Sequence, residues 1–178
     1  KKNNIPLIVT CHGQLRFGNP LYDSIERLYN KSIGRSVFEK SDVIVALSSS
    51  DRDYISSFGI DEDKIIVIPN AIDPSDLERY RLKSDELESF REWYNLSDKR
   101  VVLFVGQIIQ RKGISYLLKS IPQILRKSKE ETSFVFVGKG DALKDSLCLA
   151  QELEIEGNVI FTGAVSARDL VAFYQISD

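Results

Sequence analysis

The chain has 178 residues, of which 43% are hydrophobic, and a formal net charge of −2. This apolar content is typical of a globular protein, and no apolar run approaches the ~20 residues of a membrane-spanning helix. The small net charge argues against a protein that neutralises many nucleic-acid phosphates. Cys11 and Cys148 lie far apart without metal-ligand spacing, which favours free thiols in a reducing compartment. We therefore expect a cytoplasmic protein with no nucleic-acid partner.

Apolar runs and amphipathic stretches alternate along the chain. Most of the runs are continuous and β-branched, which is typical of parallel strands covered on both faces. The predicted strands are 5–11, 43–47, 65–68, 101–105, 134–137 and 159–161. The predicted helices are 21–39, 50–58, 85–94, 114–127, 142–153 and 167–176. This alternation predicts an α/β fold with parallel sheets, built from Rossmann-like βαβ units.

Single residues predict how some of these helices begin and bend. Ser84 is the expected N-cap of its helix, followed by acidic residues that offset the positive helix end. Pro122 lies inside the helix 114–127 and is expected to kink it rather than break it. The first helix has one apolar face at three- and four-residue spacing, formed by Leu21, Ile25, Leu28, Tyr29 and Ile33.

The segment 70–83 interrupts the alternation because it is polar and charged. Such a segment is either a linker between domains or a long surface loop. As a linker it separates residues 1–72 from residues 73–178, with three predicted strands on each side. A complete doubly wound domain normally has five or six strands. We therefore expect parts of two domains in a chain cut from the middle of a longer protein, and the lack of any methionine fits an excised fragment.

The strongest local signal is the segment 101–113, in which a predicted buried strand is followed by Gly106, a short cationic loop and Gly113. Ligands of open α/β sheets bind at the carboxyl ends of the strands. Backbone N–H groups and a helix N-terminus favour anions there, and Arg111 and Lys112 add full positive charge. The pattern predicts a phosphate-bearing ligand, and a solvated cationic turn is the equally weighted alternative.

His12 is the only histidine, and it follows the first predicted strand directly before Gly13. Its position at a carboxyl strand end makes it a candidate functional residue. A structural histidine that bonds to the backbone is the commoner alternative. Hydrolysis by a Ser-His-Asp triad is disfavoured because the sequence has no G-x-S-x-G elbow.

Other patterns have simpler interpretations. Gly138-Lys139-Gly140 lacks the third glycine of a dinucleotide fingerprint and is predicted to be a turn. Asp51-Arg52-Asp53 is predicted to serve helix-start capping, because residues two apart in a helix point to different faces. Arg27, Lys31 and Arg35 share one helical face, which is either solvated or in contact with anionic lipid. Peripheral association with the inner face of a membrane therefore stays open.

In chain order, these segments resemble the group 1 (family four) glycosyltransferases, which are retaining enzymes of the GT-B fold. The resemblance is carried by residues 8–13, 42–48, 64–73, 106–113, 136–141 and 159–165. The segment 64–73 is similar to the family signature Val-Ile-Pro-Asn-Gly-Val-Asp, with Ala71 in place of the glycine. Six modest matches in the right order make the resemblance specific.

The resemblance implies that the parent protein moves a sugar from a nucleotide-diphosphate donor to a hydroxyl acceptor with retention. The acceptor would be a glycan or a lipid-linked molecule, and neither a metal nor another cofactor would be needed. Residues 1–72 would belong to the N-terminal, acceptor-side domain and residues 73–178 to the nucleotide-sugar-binding domain. His12 would be catalytic, contacting the transferred sugar, and Lys112 would stabilise the departing diphosphate. The residues implied to bind the donor are Gly106, Gln107, Arg111, Lys112 and Val165.

The chain departs from the family pattern in ways that leave alternatives open. Gln107 stands where the family often has arginine, so either Arg111 compensates or the donor lies differently. The family's N-terminal glycine-rich loop and its Glu-x7-Glu motif are expected outside residues 1–178, so the fragment is expected to be inactive alone. The alternatives are a GT-B nucleotide-sugar epimerase and a non-catalytic α/β module that binds phosphates or a partner.

Overall fold

The computed structural model describes residues 5–13 and 19–178. The chain divides into two compact units, Lys1–Ile72 and Asp73–Asp178. In the described part of the chain, each unit contains one parallel sheet of three strands. The predicted α/β fold with parallel βαβ units is therefore confirmed.

The first unit forms its sheet from three short strands in chain order. These are β1 (Ile8–Cys11), β2 (Val43–Ala46) and β3 (Ile65–Val67), with β2 in the centre. The helical elements between them are α1 (Pro20–Tyr29), a π-helical turn (Asn30–Gly34), α2 (Arg35–Lys40), α3 (Ser49–Ser56) and a 3-10 turn (Glu62–Lys64). The buried core consists of Ile44, Ala46, Ile55, Phe58, Ile60 and Ile65.

The apolar face of the first predicted helix is exposed to solvent. Leu21, Ile25 and Leu28 expose 66%, 56% and 69% of their surface. No described part of the chain covers this face, although its residues recur at helical spacing as predicted. The single predicted helix 21–39 is also interrupted by the π-helical turn, which inserts an extra residue into the helical repeat.

The second unit is larger and alternates strands with helices throughout. Its elements are α4 (Pro74–Arg79), α5 (Ser84–Trp93), β4 (Arg100–Val105), a 3-10 turn (Gln110–Lys112), α6 (Ile114–Lys127), β5 (Thr132–Val137), α7 (Leu143–Glu152), a second 3-10 turn (Glu156–Asn158), β6 (Val159–Gly163) and α8 (Ala167–Ile176). The central strand β5 pairs with β4 on one side and with β6 on the other. Thr162 is an extra residue in β6, so that Gly163 lies opposite Val137.

All six residues of β5 are buried because helices pack on both faces of the sheet. Side chains alternate between the two faces along a strand. Phe134 and Phe136 pack in the cluster that includes Leu118 of α6 and Ala150 of α7. Val135 and Val137 pack on the other face in the cluster that includes Phe173 of α8. This arrangement explains why the run is continuously apolar rather than alternating.

The structure corrects two predictions in the segment 70–83 and its surroundings. Residues 74–79 form the short helix α4, which the Asp73 carboxylate caps by accepting a hydrogen bond from the Ser75 N–H. Ser84 is the first residue of α5 rather than its N-cap, which is Lys83. At this helix start the Lys83 N–H donates a hydrogen bond to the Glu86 carboxylate at 3.0 Å, as in a capping box. By contrast, α6 runs unbroken across Pro122, as predicted, and the kink at this residue stays a prediction.

Hydrogen bonds connect α5 to the end of the chain. The Arg91 guanidinium donates to the carbonyl oxygens of Leu96, Lys99 and Ile176 at 3.2, 3.2 and 2.8 Å. The Gln175 side chain accepts from the Leu82 N–H and donates to the Leu82 carbonyl. These contacts hold α5 and α8 against the same face of the second sheet.

Candidate functional site

The loops that leave β4, β5 and β6 lie side by side at the carboxyl edge of the second sheet. The Gly106 N–H donates to the Val137 carbonyl at 3.0 Å, and the Gly138 N–H donates to the Gly163 carbonyl at 2.8 Å. These bonds extend the strand pairing beyond the ends of the strands. The loops after β4 and β5 are therefore each bonded at their first residue to the end of the neighbouring strand.

Ile108 anchors the loop after β4. Its N–H donates to the Lys139 carbonyl and its carbonyl accepts from the Ala142 N–H, both at 3.0 Å. Its side chain is fully buried in the core cluster shared with Leu118 of α6. Because the middle of the loop is held in the core, the flanking residue Gln107 faces solvent.

Gly138 and Gly140 allow the loops after β4 and β5 to approach closely. A Cβ atom on Gly138 would lie 1.8 Å from the Gly106 carbonyl oxygen, and one on Gly140 would lie 2.1 Å from the Ile108 carbonyl oxygen. Both distances are far below van der Waals contact, so only glycine fits at either position. The interpretation of residues 138–140 as a simple turn missed this role. The available signal was a glycine pair directly after β5, the strand that pairs with β4.

Arg111 and Lys112 lie in the 3-10 turn (Gln110–Lys112) and are exposed. Neither side chain has a hydrogen bond or an ion pair with another described residue. Gly113 follows with φ +73°, and α6 begins without a side-chain cap. The Tyr116 N–H donates to the Gly113 carbonyl at 3.0 Å, but no described side chain accepts from the N–H groups of Ile114 and Ser115. Two free cations and an uncapped helix start together favour an anion at this position.

The start of α8 shows the opposite arrangement. The Ser166 hydroxyl accepts from the Asp169 N–H at 3.1 Å and donates to the Asp169 carboxylate at 2.8 Å. This helix start is therefore neutralised by its own side chains. Val165 directly precedes this cap with a half-buried side chain. Its backbone N–H and carbonyl have no hydrogen bond to another described residue.

The structure thus brings five predicted site residues to one edge of the second sheet. Four of them, Gly106, Gln107, Arg111 and Lys112, belong to the loop after β4, and Val165 follows β6. Gln107 makes no side-chain hydrogen bond with a described residue, so its amide is available to a ligand. Contact of these residues with a ligand stays a prediction.

A cleft of about 410 Å³ lies between the starts of α6 and α7. It is lined by Gln110, Ile114, Ser115, Asp141, Ala142, Asp145, Ser146 and Leu149. No described lysine or arginine is among these lining residues. Two carboxylates without a cation repel phosphate, so the cationic loop, rather than this cleft, is the candidate anion site.

In the first unit, His12 lies at the carboxyl end of β1 and is exposed. The next residue, Gly13, has φ +90°, a left-handed conformation that glycine adopts readily. Burial raises the pKa of the neighbouring Cys11 thiol, the Gly13 N–H partly offsets this by hydrogen bonding, and the negative charge of Asp51 raises it further. The turn that carries His12 is therefore next to the start of α3.

Asp51 belongs to the cap of α3, as the sequence predicts for the segment 51–53. The Ser48 hydroxyl accepts from the Asp51 N–H at 3.1 Å and donates to the Asp51 carboxylate at 2.7 Å. Within residues 5–13 and 19–178, no group of three histidine, cysteine, aspartate or glutamate side chains is placed to hold a metal ion. Over the same residues, no helix combines the length and the apolar character needed to cross a membrane.

Comparisons with known proteins identify the family. The model of the glycosyl transferases group 1 matches residues 85–178, and that of Glycosyltransferase Family 4 matches residues 1–76. An uncharacterized glycosyltransferase of Methanocaldococcus jannaschii is 32% identical over 145 residues, which are 80% of this chain and 36% of that protein. A GDP-mannose-dependent alpha-(1-6)-phosphatidylinositol monomannoside mannosyltransferase of Mycolicibacterium smegmatis is 28% identical over 145 residues, 81% of this chain and 37% of that protein.

Among solved structures, that of Anabaena Alr3699/HepE in complex with UDP-glucose has a TM-score of 0.75 at 18% identity, covering 97% of this chain and 45% of that one. At this identity the similarity shows a shared fold, that of the GT-B glycosyltransferases. The chain spans little more than a third of the length of the two relatives above. The group 1 model covers more than half of the chain. The chain therefore belongs to the glycosyl transferases group 1 family.

Proposed function

We propose that the protein transfers a sugar from a nucleotide-diphosphate donor to a hydroxyl acceptor with retained anomeric configuration. In this proposal residues 73–178 bind the donor and residues 1–72 belong to the acceptor-side domain. The observation that carries the proposal is the loop after β4, where Arg111 and Lys112 have no described partner beside the uncapped start of α6.

The diphosphate is the part of the donor that fits this loop. When the bond to the sugar breaks, negative charge grows on the departing diphosphate. Full charges and helix-start N–H groups that are already in place stabilise that charge without reorganisation. Lys112 and Arg111 supply the charges, and Gln107 supplies a neutral donor. In this proposal protein cations stabilise the departing diphosphate, which a metal ion does in other transferases, and no cofactor is needed.

The nucleoside then extends along the sheet edge toward β6. Neighbouring strands lie about 4.8 Å apart, so the loops after β4 and β6 are separated by roughly 10 Å. That span suits the distance between a diphosphate and its nucleobase. The unpaired N–H and carbonyl of Val165 are suited to a pair of hydrogen bonds with the edge of a base.

His12 is the proposed catalytic residue of the first unit, where it contacts the transferred sugar. Its imidazole is exposed at a strand end and makes no hydrogen bond with another described residue. This supports a ligand contact over a structural role. The relative that uses GDP-mannose and a phosphatidylinositol monomannoside supports an acceptor that is lipid-linked or a glycan. A cytoplasmic enzyme working at the inner face of a membrane would meet such an acceptor.

A transfer assay tests this function. The full-length protein is incubated with UDP- and GDP-linked hexoses and with phosphatidylinositol or diacylglycerol acceptors, and the products are analysed by mass spectrometry and NMR. A glycoside with the anomeric configuration of the donor is the expected product. A free sugar epimer without glycoside would instead indicate a GT-B epimerase, and an inverted linkage would contradict retention.

A further inference from the structure

Lys139 is a lysine at the carboxyl edge of the second sheet that is not among the residues proposed above to bind the donor. It lies between Gly138 and Gly140, which are so close to the carbonyl oxygens of Gly106 and Ile108 that neither position has room for a Cβ. Its own carbonyl accepts from the Ile108 N–H at 3.0 Å. The backbone of Lys139 is therefore held on both sides, unlike that of a lysine in an ordinary surface loop.

The side chain of Lys139 extends from the end of β5 toward the end of β6. Its Cε atom lies 3.9 Å from the position that a Cβ would occupy on Gly163. The ammonium group is one bond beyond this atom, and Gly163 precedes Val165 by two residues. Lys139 is exposed and has neither an ion pair nor a hydrogen bond with another described residue.

We propose that the Lys139 ammonium donates a hydrogen bond to a carbonyl oxygen of the donor's nucleobase. Lys139 would then be a specificity-determining residue that favours keto bases, uracil or guanine, over adenine. The inference rests on the proposed binding of a nucleotide by residues 73–178. It adds a side chain to a base site that otherwise consists of the backbone at Val165.

The charges at this edge assign Lys139 to the base rather than to the phosphates. Arg111 and Lys112 belong to the loop after β4, whereas the Lys139 side chain lies beside Gly163 at the end of β6, the strand on the other side of β5. An ammonium group has three N–H donors and no acceptor. It therefore pairs with a keto oxygen but leaves the exocyclic amino group of adenine without a partner, and such mismatches discriminate between ligands strongly.

The test is a calorimetric titration of the full-length protein with UDP, GDP, ADP and inorganic pyrophosphate. Lys139→Met removes the ammonium and keeps an unbranched stem, whereas Lys139→Arg keeps a cationic donor. Lys127→Met is the matched control, because Lys127 is an exposed lysine in the last turn of α6, at the opposite edge of the sheet.

We expect wild-type protein to bind UDP or GDP at least about tenfold more tightly than ADP, as one charge-assisted hydrogen bond allows. Lys139→Met should weaken that preferred nucleotide about tenfold and leave ADP and pyrophosphate within about twofold. Lys139→Arg should retain most of the preference, and Lys127→Met all of it. Circular dichroism melting of each variant confirms that its fold is intact.

Other results would overturn the inference. An equal loss for all four ligands would make Lys139 a phosphate contact. Unchanged affinity in Lys139→Met, combined with weakened binding in Lys112→Ala, would reject the role of Lys139 and leave the proposed function standing. Failure of the wild-type protein to bind any of the nucleotides would reject both.

Discussion

Gly138→Ala adds one methyl group at the point where the loops after β4 and β5 touch. The new Cβ would lie 1.8 Å from the Gly106 carbonyl oxygen, and the residue would keep a φ of +146°, which alanine adopts only with strain. Overpacking of this kind costs about 1–3 kcal/mol, and the strained backbone costs about the same again. We therefore expect the free energy of unfolding of the second unit to fall by roughly 2–6 kcal/mol.

Urea denaturation followed by circular dichroism measures this loss, and Gly157→Ala is the control. A Cβ on Gly157 would have no heavy atom within 4 Å, so this substitution should change the free energy of unfolding by no more than about 0.5 kcal/mol. Gly138→Ala should also weaken binding of UDP or GDP, because displaced loops move Gly106 and Lys112. Equal unfolding midpoints for the two variants would refute the close approach of the loops.

Three further predictions concern single side chains. His12→Ala should lower turnover of the full-length enzyme. It should change the free energy of unfolding by less than about 0.5 kcal/mol, because the imidazole is exposed and has no described partner. Lost stability with intact turnover would indicate a structural histidine. Arg91→Met should cost about 2–4 kcal/mol in urea denaturation, because it leaves three backbone carbonyls without their charged donor. Arg81→Met removes only an exposed ion pair and should cost less than about 1 kcal/mol, so similar losses would contradict the difference in burial. At pH 8, iodoacetamide should alkylate the exposed Cys148 before Cys11, because burial raises the pKa of the Cys11 thiol and lowers its thiolate fraction. Peptide mass spectrometry measures the order of labelling. Labelling of Cys11 first would contradict this prediction.

Hydrophobic periodicity was sufficient to predict the strands and most of the helices. The continuous apolar run ending at Val137 indicated a strand buried on both faces, and β5 is buried at every position. The helix α6 begins and ends where its pattern predicts, because Gly113 and the apolar spacing mark it clearly. Such local signals do not depend on contacts with distant parts of the chain.

The predictions failed where the outcome depends on backbone contacts or on competition between caps. The polar character of the segment 70–83 hides a helix start at Pro74, where proline follows the capping aspartate Asp73. The N-cap is Lys83 rather than Ser84, because the Lys83 N–H donates a hydrogen bond to the Glu86 carboxylate. Neither outcome can be inferred from the spacing of apolar residues.

The site was predictable in part. The cationic loop with Lys112 has a local pattern, namely a glycine after an apolar strand followed by two cations. The glycine pair at Gly138 and Gly140 is a local signal, but neither the backbone that approaches Gly138 nor the direction of the Lys139 side chain can be read from local sequence. Both depend on Gly106 and Gly163, residues more than twenty positions away in the chain, and only the parallel pairing of the strands brings them together.

Calorimetric titration of the full-length protein and its Lys112→Ala variant with UDP and GDP tests the central claim, that the loop after β4 binds the donor's diphosphate. Loss of a charge-assisted hydrogen bond to phosphate should weaken binding of the preferred nucleotide by about 1.5–3 kcal/mol, which is roughly a 10- to 150-fold rise in Kd. Lys127→Ala, at the opposite edge of the sheet, should leave the affinity unchanged. Equal affinities of the wild-type protein and Lys112→Ala would contradict the assignment of this loop as the phosphate site.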